Sequence, residues 1–204
     1  MLQKALSIII IVFLIITGCS ASIPSAEKIL KKMETAESYS CEAKMAVKNN
    51  KSIFYYNLKQ YYKQQGKFRV EFYDDYGKLK QTMIYNNGQC AIYHANIDKP
   101  FKTQNFADTK EHNSFISAFL TSYRNDPEAK WIKEKIDEEE YYVFQCRVEN
   151  ENRYFRRALL FVNIKNAQPK FLHIFDKDDS KIMEVKYNNF KYNDSLDDSL
   201  FNME

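Results

Sequence analysis

Apolar positions along the chain change period repeatedly, and each change marks an element. Ala5 to Ile16 is almost wholly apolar, broken only by Ser7, and follows a start whose one positive side chain is Lys4. That length suits the hydrophobic region of a signal peptide and is too short to span a bilayer as a helix. After a short stretch of small residues, Ile29, Leu30, Met33 and Ala36 recur at helical spacing. Lys28, Lys31, Lys32 and Glu34 occupy the opposite side, and Ser25 is placed to cap, so an amphipathic helix is predicted over 25–37.

The period then falls to two. Cys41, Ala43, Met45 and Val47 alternate with Glu42, Lys44 and Lys48, and Asn49-Asn50-Lys51 makes a turn. A Tyr- and Phe-rich strand is predicted over 52–63, another around Phe68, Val70 and Phe72, a fourth from Leu79 to Tyr85 and a fifth from Cys90 to His94. Asn87-Gly88 is a strong two-residue hairpin signal. Gly66, Gly77 and Gly88 each lie between strand patterns, so none is free to form a phosphate loop. Residues 96–111 lack periodicity and read as a loop around Pro100. Phe115, Ile116, Phe119, Leu120 and Tyr123 share a helical face over 113–124, and Asn125-Asp126-Pro127 stops that helix. Strand patterns resume at 131–136, 141–149, 155–164, 169–175 and 181–190, before an acidic tail whose Leu196, Leu200 and Phe201 can pack back.

This order predicts an α+β fold: one strongly curved antiparallel sheet of about ten strands, polar on one face and apolar on the other, with two helices covering the hollow. The inward-facing set, including Phe54, Phe68, Leu79, Phe144, Leu160 and Phe171, is bulky enough to fill that hollow.

Charged residues are 28% and aromatics 15% of the chain, the composition of a folded globular protein. The net charge of +3 is small and interspersed in sign, so it does not point to nucleic acid. Ile16-Thr17-Gly18-Cys19 resembles a lipobox, in which small residues fit the cleavage site and the cysteine thiol takes a diacylglycerol. The expected organisation is a lipoprotein signal peptide over 1–18, a lipidated tether over 19–25 and a single domain over 26–204. A diacylglycerol and an N-acyl chain, palmitate in type, on Cys19 exceed the single-chain limit for marginal anchoring. They are the only non-protein groups expected, and they place the chain outside the cytoplasm on a membrane. Cys41, Cys90 and Cys146 then remain, an odd number that allows three free thiols or one disulfide of unassigned pairing.

No chemical motif stands out. His94, His112 and His173 lack metal-pair spacing. Asp176 to Ser180 opens like a calcium loop, but Lys181 stands where Gly is required and Tyr187 where Glu is required. Ser114 and Ser117 lie near His112 on a helical pattern, where capping explains them better than nucleophilic chemistry. No catalytic or metal-binding residue is therefore expected, and the chain is read as a non-enzyme. Tyr55, Tyr61, Tyr73 and Arg69 share a strand face with charged neighbours and form the expected partner-binding patch. Arg156 and Arg157 are a second candidate, suited to carboxylate-bearing partners. The two free edges of an unclosed sheet offer a route to a homodimer by strand addition.

The helix Ala26-Glu27-Lys28-Ile29-Leu30-Lys31-Lys32-Met33, the tyrosine-rich second strand, the ending Tyr187-Asn188-Asn189-Phe190 and the tail Asp197-Asp198-Ser199-Leu200-Phe201 together resemble the LolA/LolB-like lipoprotein family. The likeness covers nearly all of the chain after Cys19. It implies an incomplete β-barrel with helices in its mouth. The low-glycine, Asn/Lys/Tyr-rich composition is similar to the clostridial spore-germination branch of that family. That branch implies a non-enzymatic protein of the spore or forespore envelope, which binds and activates a cortex peptidoglycan N-acetylmuramoyl-L-alanine amidase. The amidase begins formation of muramic-δ-lactam, which germination requires. The alternative is a carrier or sensor of lipid or lipoprotein acyl chains, which needs an open hydrophobic cavity.

Overall fold

The structure, a computed structural model, describes residues 23–49, 51–149 and 153–203. The signal peptide and Cys19 lie outside the described residues. The first element is helix α1, Ala26–Glu34. The Ser25 hydroxyl accepts from the Lys28 N–H at 3.3 Å, Glu27 occupies the first turn, and Lys31 and Lys32 occupy the last, as the helix dipole favours. Ala26, Ile29 and Met33 are its buried stripe. It stops three residues short of the predicted end, because Thr35 caps it by donating its N–H to the Lys31 carbonyl.

Eleven strands follow: β1 Ser38–Lys48, β2 Ile53–Lys63, β3 Lys67–Tyr73, β4 Leu79–Asn86, β5 Gln89–His94, β6 Phe101–Thr103, β7 Lys130–Ile136, β8 Glu139–Arg147, β9 Arg157–Asn163, β10 Pro169–Phe175 and β11 Lys181–Tyr192. Between β6 and β7 come helix α2, Lys110–Asn113, and helix α3, Ile116–Asn125, and a 3₁₀ turn over Asp198–Phe201 ends the chain. The strand β6 falls in the segment read as a loop, and the helix α2 begins there and ends at the first residue of the predicted 113–124 helix. They are one turn or less in length, too short to leave a period in the sequence. At the β4–β5 hairpin, Asn87 and Gly88 have φ of 50° and 77°, the positive pair that a two-residue turn with matching twist requires.

All eleven strands form one antiparallel sheet in the order β6-β5-β4-β3-β2-β1-β11-β10-β9-β8-β7. Two hairpin ladders, one from each half of the chain, are joined by pairing of β1 with β11, where Met45 lies opposite Val185. A sheet this wide must curl. Its edges, β6 and β7, do not pair with each other, so the barrel stays open.

The hollow is filled. Phe68, Val70, Met83, Phe144, Leu160, Leu172, Val185 and Tyr187 rise from the sheet, and Ile29, Met33, Phe106, Phe115, Ile116 and Phe119 meet them from the helical side. Cys41, Cys90 and Cys146 lie in the same core, all three free. Burial raises every one of these thiols, Cys146 to about 12 and Cys90 to about 11, so they act as small apolar groups and not as nucleophiles.

The expectation of one apolar and one polar face holds for β1–β4 and fails for β8–β10. There the outer face carries a second apolar cluster of Tyr141, Val143 and Phe161, with Leu159 and Phe171 against it. Phe171 thus faces outward, opposite Phe161, while its neighbour Leu172 enters the hollow. Phe54 and Leu79, also expected inside, are 48% and 38% exposed, because both stand at the rim beyond the reach of the helices.

Candidate functional site

The register places Tyr55, Asn57, Lys59 and Tyr61 of β2 on the outer face, beside Arg69, Glu71 and Tyr73 of β3. Glu71 is 7% exposed and is the centre of this group. Its carboxylate accepts from Arg69 Nε at 2.8 Å and Nη2 at 2.7 Å, and from the Tyr73 hydroxyl at 2.6 Å. Burial, then the neighbouring carboxylate, raise the Tyr73 phenol well above its ordinary value, and burial raises Tyr61. Lys59 sits 5.2 Å over the Tyr73 ring.

This cluster holds the C-terminal tail. Arg69 Nη1 donates to the Leu200 carbonyl at 3.0 Å, and Asn86 Nδ2 to that of Phe201 at 3.3 Å. Lys63 and Lys67 both reach Asp198 Oδ1, at 3.0 and 2.9 Å, and keep its carboxyl below the usual range. Phe201 is fully buried against β3 and β4, on the face where Ile84 and Ala91 are also covered. Three of the four predicted patch residues, Tyr61, Arg69 and Tyr73, are therefore brought together, and their polar atoms are bonded within the chain.

Tyr55 is different. It is 77% exposed, and the Asn57 amide, next on its face, donates to Asp75 at 3.3 Å. That bond lays the β3–β4 turn alongside β2, with Tyr76 at its tip, 96% exposed. Ile53 and Phe54 at the start of β2, Leu79 at the start of β4, Ile97 of the β5–β6 connection and Phe101 at the start of β6 are exposed at the same end of the barrel. This rim of apolar side chains was not anticipated, apart from Tyr55. The sequence did hold one signal for it: an aromatic at the apex of Asp74-Asp75-Tyr76-Gly77 has no strand neighbour to pack against. Just below the rim a cleft of about 640 Å³ opens between Tyr56, Phe72, Lys80, His94, Ile97 and Lys110.

The second candidate pair separates. Arg156 is exposed. Arg157 is engaged, bonding Asp179 at 3.0 Å with its guanidinium 4.1 Å over the Phe175 ring.

The titratable groups do not converge. His94 is exposed at the end of β5, His112 packs edge-on against Phe68 and Phe106 inside, and His173 lies outside, against Phe161 and 3.3 Å from Glu184. No group of three His, Cys, Asp or Glu side chains gathers in metal-binding geometry among the described residues. Burial lowers both His112 and His173, and Lys181 adds to the effect on His173. Each imidazole takes up a proton near pH 6.5 in the unfolded chain and only at lower pH when folded. Stability is therefore expected to fall as the pH drops from 7 through that range, by at most about 1.4 kcal/mol per pH unit for each histidine. Urea unfolding between pH 7.5 and 5.5 measures this, and His112→Phe removes part of the slope.

A family model described as sporulation protein YdcC-like matches residues 2–201. A search of curated protein sequences returns no significant match. Among solved structures, the chain is similar to an uncharacterized conserved protein from Thermus thermophilus, with 12% identity, 89% of this chain and 95% of that one covered, and a TM-score of 0.56. It is similar to a domain from Vibrio parahaemolyticus described as outer membrane lipoprotein-sorting, at 10% identity, 87% and 94% coverage and a TM-score of 0.50. These likenesses show a shared fold, an unclosed antiparallel barrel around a helical plug. A looser likeness, with a TM-score of 0.49 over 83% of this chain and 96% of that one at 23% identity, is to the structure of the CwlD amidase from Clostridioides difficile in complex with the GerS lipoprotein.

Proposed function

Because this chain belongs to the YdcC-like family of sporulation proteins, we propose that it is a non-enzymatic adaptor, lipid-anchored outside the cytoplasm, that binds and activates a spore-cortex peptidoglycan amidase. The family supplies the sporulation setting. The amidase comes from the likeness of the Ala26–Met33 helix, the tyrosine-rich second strand and the Asp197–Phe201 tail to germination lipoproteins of the LolA/LolB-like family. The observation that carries the adaptor reading is the contrast between hollow and rim. A carrier of acyl chains needs space inside, and here Phe68, Phe115, Phe144 and Leu160 occupy it, leaving among the described residues only the open cleft at the rim, which Lys80, His94 and Lys110 line in part. Exposed aromatic side chains instead crowd one end of the barrel, where Tyr55 and Tyr76 stand as anchors for another protein.

The test uses the full chain and a purified cortex amidase from the same sporulating cell. Binding is measured by titration, and amidase turnover is followed on cortex peptidoglycan. The expected result is saturable binding and a rise in turnover. Tyr55→Ala with Tyr76→Ala is expected to weaken binding by about 30-fold, roughly 2 kcal/mol, with unchanged thermal unfolding. A wild-type affinity for the double variant removes the rim from the reading. An amidase indifferent to the full chain removes the adaptor itself, and stoichiometric acyl lipid recovered with the protein returns the carrier.

A further inference from the structure

The first described residues run across the free edge of the sheet. The Tyr142 hydroxyl of β8 donates to the Pro24 carbonyl at 3.4 Å, and the Glu27 side chain of α1 lies beside that of Trp131 in β7. Ile23 is 59% exposed beside them. Cys19 precedes Ile23 by four residues, a span of about 14 Å at full extension. A group carried on Cys19 is therefore held close to β7 whatever path those residues take.

The edge strand itself is unusual. Lys130 to Lys135 are all exposed, including Trp131 at 41% and Ile132 at 50%, which flank the edge from opposite faces of the strand, and among the described residues no strand pairs with the outer side of β7. Lys130, Lys133 and Lys135 flank the two apolar residues, and Lys28 points to solvent from the adjoining turn of α1. Glu27, Glu128 and Glu134 oppose them in part, and Lys133 is bridged to Glu140 at 2.8 Å. β7 itself carries three lysines against Glu134, but Glu27, Glu128 and Glu140 beside it and Asp137, Glu138 and Glu139 at the β7–β8 turn offset that excess, so Lys130 and Lys135 offer local cationic contacts and not a basic face. Tryptophan and isoleucine bordered by lysines have the chemistry of a bilayer interface, where the indole sits at headgroup depth and ammonium groups meet anionic phosphates. No helix among the described residues is long and apolar enough to cross a membrane.

We propose that β7 is the edge of the domain that rests on the membrane, with Trp131 and Ile132 at headgroup depth and Lys130 and Lys135 over anionic lipid phosphates. This rests on lipidation of Cys19, which tethers the chain within reach. The docked edge turns one side of the sheet toward the bilayer and keeps a strand-seeking backbone edge away from other copies.

Trp131 is the single tryptophan of the chain, so its fluorescence reports this edge alone. The full chain, matured in a bacterial host and purified from its membranes, is reconstituted into phosphatidylethanolamine–phosphatidylglycerol vesicles with and without brominated acyl chains. Intact mass gives the lipidation state. The expected result is a diacylglyceryl-modified chain whose emission is blue-shifted and at least halved by the brominated lipid, with a smaller effect in Lys130→Glu/Lys135→Glu. A lipidated chain whose emission is quenched by aqueous iodide and not by brominated lipid overturns the proposal. So does a blue shift without lipid quenching, which would mean that protein, such as a second copy, covers the edge. A mass without the lipid overturns the anchoring premise first, and this inference with it.

Discussion

Phe115→Ala is expected to cost about 3–5 kcal/mol of folding stability, the range for removing a buried aromatic ring. Phe115 is fully buried where α3 begins, with its ring 5.0 Å from Phe68 in an edge-on contact and 6.5 Å from Tyr39. It ties the helical plug to strands from both β1 and β3. A domain of this size has roughly 5–15 kcal/mol in total, so the variant gives up about a fifth or more of it. The midpoint of thermal unfolding is expected to drop by on the order of 10 °C. Phe101→Ala is the control: that ring is 64% exposed, and its loss is expected to change stability by less than about 0.5 kcal/mol. A cost below about 1 kcal/mol at Phe115 would mean that the hollow is loosely packed, and the case against an acyl-chain carrier would weaken with it.

The second large effect is polar. Gln60 of β2 is fully buried in an otherwise apolar core. Its amide donates to Ser114 Oγ at 2.6 Å and to the Ser114 carbonyl at 3.3 Å, and its oxygen faces the Cys41 thiol at 3.7 Å. Ser114 Oγ donates onward to the Glu111 carbonyl at 2.6 Å, and the Tyr187 hydroxyl donates to the Ser114 carbonyl at 2.6 Å. This knot fastens the junction of α2 and α3 to the sheet at one point, with its donors and acceptors matched. Ser114→Ala leaves the Gln60 amide buried with one long contact, and is expected to cost about 2–3 kcal/mol. Gln60→Leu is expected to cost about 2 kcal/mol. Together they remove both halves of the pair, so the double variant should lose clearly less than the two single losses added. Chemical unfolding of the four proteins gives the coupling, and strict additivity would show that the knot is not a unit.

Much of the fold was legible because apolar side chains in β1–β5 recur mainly at every second position, and because Asn87-Gly88 fixes one hairpin outright. What the residues alone could not give was the joining of β1 to β11, since no local pattern encodes which distant strand completes a ladder. The outward direction of Phe171 was equally hidden. Where Tyr141, Val143, Phe161 and Phe171 make the outer face apolar too, alternation carries no information about which side is in. The predicted binding patch was half visible. The shared face of Tyr61, Arg69 and Tyr73 followed from period two, but their use in fastening the tail depends on a turn of chain more than a hundred residues away. The rim went unseen because exposure at the end of a barrel depends on which loops converge there, a property of topology and not of any one segment.

The seam between the two ladders has a consequence for how the protein comes to exist. Its central pairing joins the first strand of the domain to the last, Met45 to Val185, so neither half-sheet can close over the plug until nearly the whole polypeptide is present. Contacts so distant in the chain form slowly, and only after large losses of chain entropy. During synthesis the growing chain is therefore held back from its final shape by its own topology. Under the export proposed above, that delay would keep the chain competent for passage until its last strand has crossed.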